Sequence, residues 1–583
     1  MNVNSPAPEY WRGIGWFCLM LLFAGTNCPA TDARPRTFCN PVDIPYRFQL
    51  PEGNYRSAAD PVVVRFQDDY WLWASKSGGY WRSTNLLDWS FIAASGYPTE
   101  IWAPTVTVIN GRIYLTSGSM AGTFLTDDPL SGKWTNVTEY DRSLGDPATM
   151  QDDDGRVYLY YGCNADQPLQ MAELNPQTLD FVSEPVASYR ADKTRHGWEV
   201  PGDTNLRESR KPWIEGSWMN KIDGRYYLQY SAPGTQFKTY GDGVCVSAKP
   251  MGPFIYQPYS PFSFKPTGFI TGAGHSCTFA DERGQYWHIS TMTISKRHFF
   301  ERRLGLFPAG VLPDGQLATS TYLGDYPQFA PGIAIDPLHD NSPHWMLLSH
   351  GKPATASSTL AADKKQGVGV TNAFDEDVRT WWSAASGNAG EWLEVDLQHD
   401  CRIDAMQINF ADQSAQTTDQ LASHNYLYFI ETSRDGRKWE LTIDRRKDGR
   451  DAPHDYVQLA HSVTARFVRI TNVQSPAGGY FSLYDLRIFG SGQGLPPPEI
   501  KNFSVTRNAG DPRKARVSWS AVTNADFYIV RYGIAPDRLF GNYQVYQTNG
   551  VAVNSLNAGT DYYFTVDSVN DTAVTRGTET IRR

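Results

Sequence analysis

The first half of the chain repeats one hydrophobic pattern. Short aromatic segments with alternating apolar and polar positions occur at YWLWAS (70–75), RIYLTSG (112–118), RVYLYYG (156–162), RYYLQY (225–230) and QYWHIST (285–291). Each follows a turn signal, and each turn is preceded by another apolar run. Period-two alternation bounded by Gly and Asp predicts β-hairpins whose tight turns accept positive φ. Few helix-period runs compete with it, so an all-β fold is expected.

The runs share a register. Asp60-Pro61-Val62-Val63, Ala103-Pro104-Thr105-Val106, Asp146-Pro147-Ala148-Thr149, Glu215-Gly216-Ser217-Trp218 and His275-Ser276-Cys277-Thr278 each open the first strand of a hairpin. The turn glycine comes eight residues after Ala103 and nine after Asp146, Glu215 and His275, with Asp68-Asp69 in its place in the first copy. The first three copies are 43 residues apart, and the later spacings of 69 and 60 require insertions. Repeats of about 40–50 residues predict a propeller, because one four-stranded unit cannot bury both faces until its neighbours stack on it. Residues 40–335 are therefore expected to form a five-bladed β-propeller. Its innermost strands run along the central axis, so Asp60, Asp146, Glu215 and His275 should meet at one end of the channel. A lone Asp-Pro or Asp-Gly pair is ordinarily a turn former. Charged residues recurring in one slot, well away from the turn, point instead to chemistry.

Paired carboxylates in a sugar-sized pocket can cleave a glycosidic bond: one protonates the leaving oxygen while another activates water or attacks carbon. On these motifs residues 40–335 resemble glycoside hydrolase family 43. The resemblance implies an inverting mechanism with Asp60 as general base, Asp146 as the orienting pKa modulator and Glu215 as general acid. It implies an exo-acting enzyme that removes terminal sugars from polysaccharide side chains, α-L-arabinofuranose first, with β-galactofuranosidase or β-xylosidase as alternatives. A noncatalytic carbohydrate-binding adhesin on a degenerate propeller is the alternative of another class, and the presence of all three carboxylates argues against it. Asp146 near Glu215, with Trp213 and Trp218 flanking, is expected to raise the pKa of the acid through like charge and desolvation. Trp102 is read as a wall of the sugar site or as core, and Trp213 as a substrate contact. Adjacent strand residues point opposite ways, so only one of Arg302 and Arg303 in HFFERRLG can serve the site, and Arg303 is the one expected. His275 is either a channel ligand of a hydrated calcium ion, as the resemblance implies, or a neutral, hydrogen-bonded core histidine. The chemistry itself requires no cofactor.

Asn341-Ser342-Pro343 opens a second region. Residues 345–490 contain GKPATASS, NAFDEDVRTWW, EWLEVDL, ARFVRI and YDLRIFG, and resemble a discoidin-type jelly roll of the coagulation-factor type C or family 32 carbohydrate-binding group. NAFDEDVRTWW is similar to the calcium loop of that group. Asp375, Asp377 and Thr380 are thereby candidate ligands, with Asp485 where many relatives carry Glu; Trp381 and Trp382 are alternatively simple core. The proline-rich GQGLPPPEIKN reads as a stiff linker. After it, residues 498–583, with ARVSWSAV, FYIVRYG and AGTDYYFTVDSVN, resemble a fibronectin type III sandwich with Trp519 and Tyr563 in its core. Because a propeller closes on its own core, a fragment ending near Pro343 is expected to fold alone.

Composition narrows the partners. A net charge of −9 with no basic stripe disfavours nucleic acid, which leaves a poly- or oligosaccharide as the expected partner of a monomer. Residues 1–30 read as a secretory leader: Arg12, the apolar run Ile14–Ala24, then small and polar residues to Ala30. Glu9 weakens its basic end, and a lipid on Cys28 stays open although Gly25-Thr26-Asn27 is a poor lipidation signal. A secreted, periplasmic or cell-surface protein without a membrane span in the mature chain is expected. Cys39, Cys163, Cys245, Cys277 and Cys401 are too sparse for a disulfide framework and read as small buried hydrophobes.

Overall fold

The computed structural model describes residues 34–49, 55–120, 122–140, 144–294, 298–361, 368–415 and 424–583. The leader-like segment 1–30, Cys28 included, lies outside them. Nearly every described element is a strand, and no helix among the described residues is long and apolar enough to cross a membrane.

Five four-stranded antiparallel sheets follow one another, each with its strands in chain order. Their first strands are Val62–Phe66, Pro104–Ile109, Ala148–Gln151, Glu215–Ile222 and Thr271–Ala280. Each pairs with the aromatic segment picked out by the alternation, as in Val62 to Trp73 or Ala148 to Tyr160. These are the five predicted blades. Trp287 and Cys277 of the fifth share a core with Val63 and Trp71 of the first, which closes the ring. Thr37–Phe38 pairs with Gln328–Phe329, joining the start of the domain to its end.

The residue that opens each inner strand has a distinctive backbone. Asp60, Ala103, Asp146 and His275 all have positive φ, at 54°, 45°, 45° and 41°. Proline after the first three disfavours the right-handed region for its predecessor, so the chain turns into the strand through the left-handed one. Such a conformation costs a non-glycine residue on the order of 1–2 kcal/mol. In the fourth blade it falls on Gly216, φ 63°, and not on Glu215. The sequence register of Glu215 is therefore corrected by one residue. The correction accounts for the turn spacing: Asn110-Gly111 and Asp223-Gly224 both have positive φ, as a two-residue turn requires, and their glycines lie eight residues after Ala103 and after Gly216.

The second module is an antiparallel β-sandwich with two very long strands, Trp392–Phe410 and His454–Gln474, of 19 and 21 residues. Their mutual pairing is interrupted at Asp396/Cys401 and Ile403/Ala405. Bulges of this kind bend a strand. Trp381 and Trp382 are both buried. The third module has a three-stranded sheet and a five-stranded one. Trp519 is in its core as expected, but Tyr563 is only partly buried, and its neighbours Tyr562 and Phe564 fill the core instead.

The modules are not beads on a string. Arg487 of the second is fully buried, bonded twice to Glu376 and once to the carbonyl of Asp325 in the propeller domain. Arg513 and Asn557 of the third bond Lys193 and Ser260. A cut near Pro343 would also leave buried Arg56 without Asp412 and Asp451 of the second module, typically at about 3–5 kcal/mol for a buried charge that loses its partner, which argues against the free-standing propeller expected from ring closure.

Candidate active site

The inner-strand openings converge as predicted. Nδ1 of His275 lies 3.2 Å from Asp60 Oδ1 and 3.4 Å from Asp146 Oδ2. Carboxylate oxygens of Asp146 and Glu215 and the sulfur of Cys163 lie within 4.8 Å of one another. His275 thus contacts Asp60 and Asp146, and Asp146 in turn lies beside Glu215, so the four titratable groups share one site. All four are buried, with a little surface left to solvent.

Asp60 is built to stay ionised. Arg302 donates from Nη1 and Nη2 to its two oxygens at 3.1 and 3.3 Å, and the Ser75 hydroxyl donates at 2.5 Å. Burial alone would raise its pKa, but Arg302, His275 and Ser75 together hold it below the ordinary carboxylate value. Asp146 is the opposite case. Its burial, with Glu215 and Asp60 nearby, pushes its pKa up to about 7 against the pull of His275 and of the Gly216 N–H. The Asp146 carboxyl, beside Glu215, therefore titrates well above the ordinary carboxylate range.

Glu215 is oriented from two sides: the Tyr240 hydroxyl donates to Oε1 at 2.6 Å and the Cys163 thiol to Oε2 at 3.3 Å. Neither residue was singled out from the sequence. Burial, with Asp146 and Glu215 beside it, holds the Cys163 thiol well above its usual value, so it serves as a weak donor and not as a nucleophile. The reading of Cys163 as a mere buried hydrophobe is thereby corrected; only the spatial neighbour, far away in sequence, reveals its role. Gly216 is required where it stands, since a Cβ there would come 2.6 Å from Ser231 Oγ and 2.9 Å from His275 Cγ.

Several expected contacts differ. Arg302, not Arg303, faces the site. Arg303 follows it on the strand Arg302–Val311, points the other way and is fully buried against Tyr46 and His454. Trp218 does not flank Glu215 but packs in the core and donates to the Thr278 carbonyl. Trp213 remains at the surface, 43% exposed, and donates to Cys163. Trp102 meets Phe300 at 4.9 Å, with the Arg302 guanidinium 5.9 Å from its ring, so it borders the Asp60 end. His275 sits between the two carboxylates: burial opposes its charge, while Asp60 and Asp146 raise its pKa above the ordinary imidazole value.

The raised Asp146 carboxyl predicts a pH-dependent stability. Its folded pKa of about 7 exceeds the ordinary 3.8. The folded state therefore binds more protons between those values, and its stability is lost as pH rises through that window. Asp146→Asn lacks this loss. At pH 8 the variant is expected to melt higher than the parent by the equivalent of up to a few kcal/mol, while being less active; melting curves with parallel pH dependence for the two would refute the assignment.

Comparison with known proteins agrees with this geometry. Residues 55–316 match the model for glycosyl hydrolases family 43, and residues 353–485 match the F5/8 type C domain. An arabinoxylan arabinofuranohydrolase of Paenibacillus polymyxa is 32% identical over 230 residues, covering 34% of this chain and 34% of its own length. A β-D-galactofuranosidase of Aspergillus niger is 24% identical over 267 residues, covering 39% of this chain and 72% of its own. A solved thermostable family-43 glycoside hydrolase aligns with TM-score 0.40 and 22% identity, covering 48% of this chain and 96% of its own. The matched stretch spans about a third of the length of the arabinofuranohydrolase. Residues 55–316 are thus similar to glycosyl hydrolases family 43, and residues 353–485 to the F5/8 type C domain.

Proposed function

We propose that the protein is an exo-acting, inverting glycoside hydrolase that removes terminal α-L-arabinofuranose from polysaccharide side chains. The observation that carries this reading is the convergence of four titratable groups: Asp60 bound by Arg302, Glu215 oriented by Tyr240 and Cys163, and His275 and Asp146 beside them, with the Asp146 carboxyl pushed up to about 7. Asp60 takes a proton from water as that water attacks the anomeric carbon. Glu215 delivers a proton to the departing oxygen, and Trp102 with Phe300 offers a flat apolar edge to the sugar. Inversion requires Asp60 and Glu215 to stand about 6.5–9.5 Å apart, which admits the intervening water.

Arabinofuranose is favoured because arabinoxylan arabinofuranohydrolases recur among the similar proteins; a β-xylosidase and a β-galactofuranosidase are also among them. Nitrophenyl α-L-arabinofuranoside, β-D-xyloside and β-D-galactofuranoside test the choice directly. Fastest hydrolysis of the first supports it, preference for either of the others replaces the sugar, and cleavage of none by the intact chain leaves carbohydrate binding as the function.

A structural calcium ion at the loop of the second module is part of this proposal. Asp375 accepts the Thr380 hydroxyl at 2.7 Å, Asp377 accepts the Arg379 N–H at 3.0 Å, and buried Asp485 accepts the Glu376 N–H at 3.2 Å. Carboxylate, hydroxyl and carbonyl oxygens suit a hard cation. Burial pushes Asp375 up to about 6, so positive charge is welcome there. Calcium is expected to raise the melting temperature by several degrees and to leave turnover on small glycosides unchanged. Asp375→Asn should abolish the increase; an increase that persists in the variant would place the ion elsewhere. The two-sheet arrangement of residues 498–583 supports a fibronectin type III-like spacer.

A further inference from the structure

The strand that brings Arg302 to Asp60 is held from behind by the second module. Glu301 and Arg303 flank Arg302, and both are fully buried. Glu301 Oε1 accepts the Tyr484 hydroxyl at 2.6 Å. Arg303 donates from Nε to His454 Nε2 at 2.8 Å and from Nη1 to the carbonyls of Arg302 and Arg56. His454 is well suited to accept: burial and the cations Arg303 and Arg56 keep it neutral, and its Nδ1 donates to Asn409 Oδ1 at 2.7 Å, which leaves Nε2 with its lone pair.

The approach to Asp60 is held in the same way. Arg56 donates to Asp412 Oδ2 at 3.1 Å and to Asp451 Oδ1 at 2.5 Å, both on the second module. Its neighbours tie back to the Arg302 strand: Ala58 N–H donates to the Arg302 carbonyl at 3.2 Å, and the Ser57 hydroxyl to the Phe300 carbonyl at 2.9 Å. Base and guanidinium thus sit on two adjoining backbone segments, each anchored to residues 409–484 of the sandwich.

We propose that the second module is a working part of the hydrolase: His454, Tyr484, Asp412 and Asp451 are positioning residues that hold Arg302 in register with Asp60. This rests on Asp60 being the base of the proposed reaction. Alternation on one strand does the coupling, because Arg302 faces the site while Glu301 and Arg303 reach the sandwich. Misplacement by about 1 Å at such a clamp is typically worth a hundredfold in rate.

The test uses the full chain and an aryl glycoside that the parent hydrolyses, and reads the pH profile of kcat/KM. The groups facing Asp60 are Arg302, His275, Ser75, Asp146 and Tyr240. Loosening Arg302 removes positive charge, so the acid limb should move to higher pH, the direction that Arg302→Met also produces. Tyr484→Phe and His454→Leu are expected to shift this limb upward and to lower kcat/KM at the optimum about 10- to 100-fold. His454→Gln, whose amide oxygen can still accept from Arg303, should recover most of the loss. Arg379→Ala breaks a different contact between the modules, the ion pair with Asp203, and should cost stability without moving the limb. If His454→Leu does not fold, Tyr484→Phe decides. Unmoved limbs in well-folded Tyr484→Phe and His454→Leu would overturn the positioning role, whereas a parent chain that cleaves no glycoside would overturn the proposed function itself.

Discussion

Glu215→Gln is expected to lower turnover on a natural oligosaccharide by roughly 100- to 10,000-fold, the usual worth of a general acid. The amide keeps the shape of the side chain and can still accept the Tyr240 hydroxyl, whose 2.6 Å bond orients Oε1, so substrate binding should survive. What disappears is the proton for the leaving oxygen. A sugar or polymer hydroxyl leaves poorly without it, whereas a dinitrophenolate does not need it, so the defect should shrink sharply on activated aryl glycosides. Asp146 sharpens the expectation: its raised pKa places a second proton nearby, and a variant rescued by that proton would show near-parent rates on the oligosaccharide. Such rates, measured by product release, would transfer the acid role from Glu215 to Asp146.

Asp60→Asn should be at least as damaging, and on every substrate alike, because water activation is needed whatever the leaving group. Two guanidinium nitrogens and the Ser75 hydroxyl surround this carboxylate, so the variant also leaves a buried cation without its partner, typically at about 3–5 kcal/mol. Melting curves must therefore accompany the kinetics. Proton NMR of the first-formed sugar completes the test on the parent. A retaining pair stands only about 5–5.5 Å apart, whereas inversion needs about 6.5–9.5 Å between base and acid for the intervening water. An initial product with the configuration of the substrate, or transfer to added alcohol, would overturn both inversion and the role of Asp60 as base.

The hairpins, their number and the convergence of four charged openings were legible in the chain because each rests on local rules: alternation marks strands, Asn-Gly and Asp-Gly mark turns, and a repeat length marks a blade. Glu215 was found one residue out of register for an equally local reason, since the strained position is taken by Gly216 and a count to the turn cannot distinguish a two-residue turn from a longer one. The choice between Arg302 and Arg303 lay beyond such rules. Alternation says that two neighbours face opposite ways but not which way, and only the packing of Tyr46 and His454 against one face settles that Arg303 is buried there.

Cys163 and Tyr240 illustrate the larger divide. Cys163 follows the strand Val157–Tyr161 and Tyr240 precedes the strand Gly241–Ser247, and each becomes part of the site only because it meets Glu215 in space. The partners of His275 were likewise undetermined until two carboxylates were seen at 3.2 and 3.4 Å. By itself the sequence determined strand pattern, module order and the residue types available for acid–base chemistry, since these follow from short-range sterics and periodicity. The tertiary structure alone decided which side chains are neighbours, which carboxyl is pushed above its ordinary pKa and where the second module contacts the first, because charge and burial act through space between residues far apart in sequence.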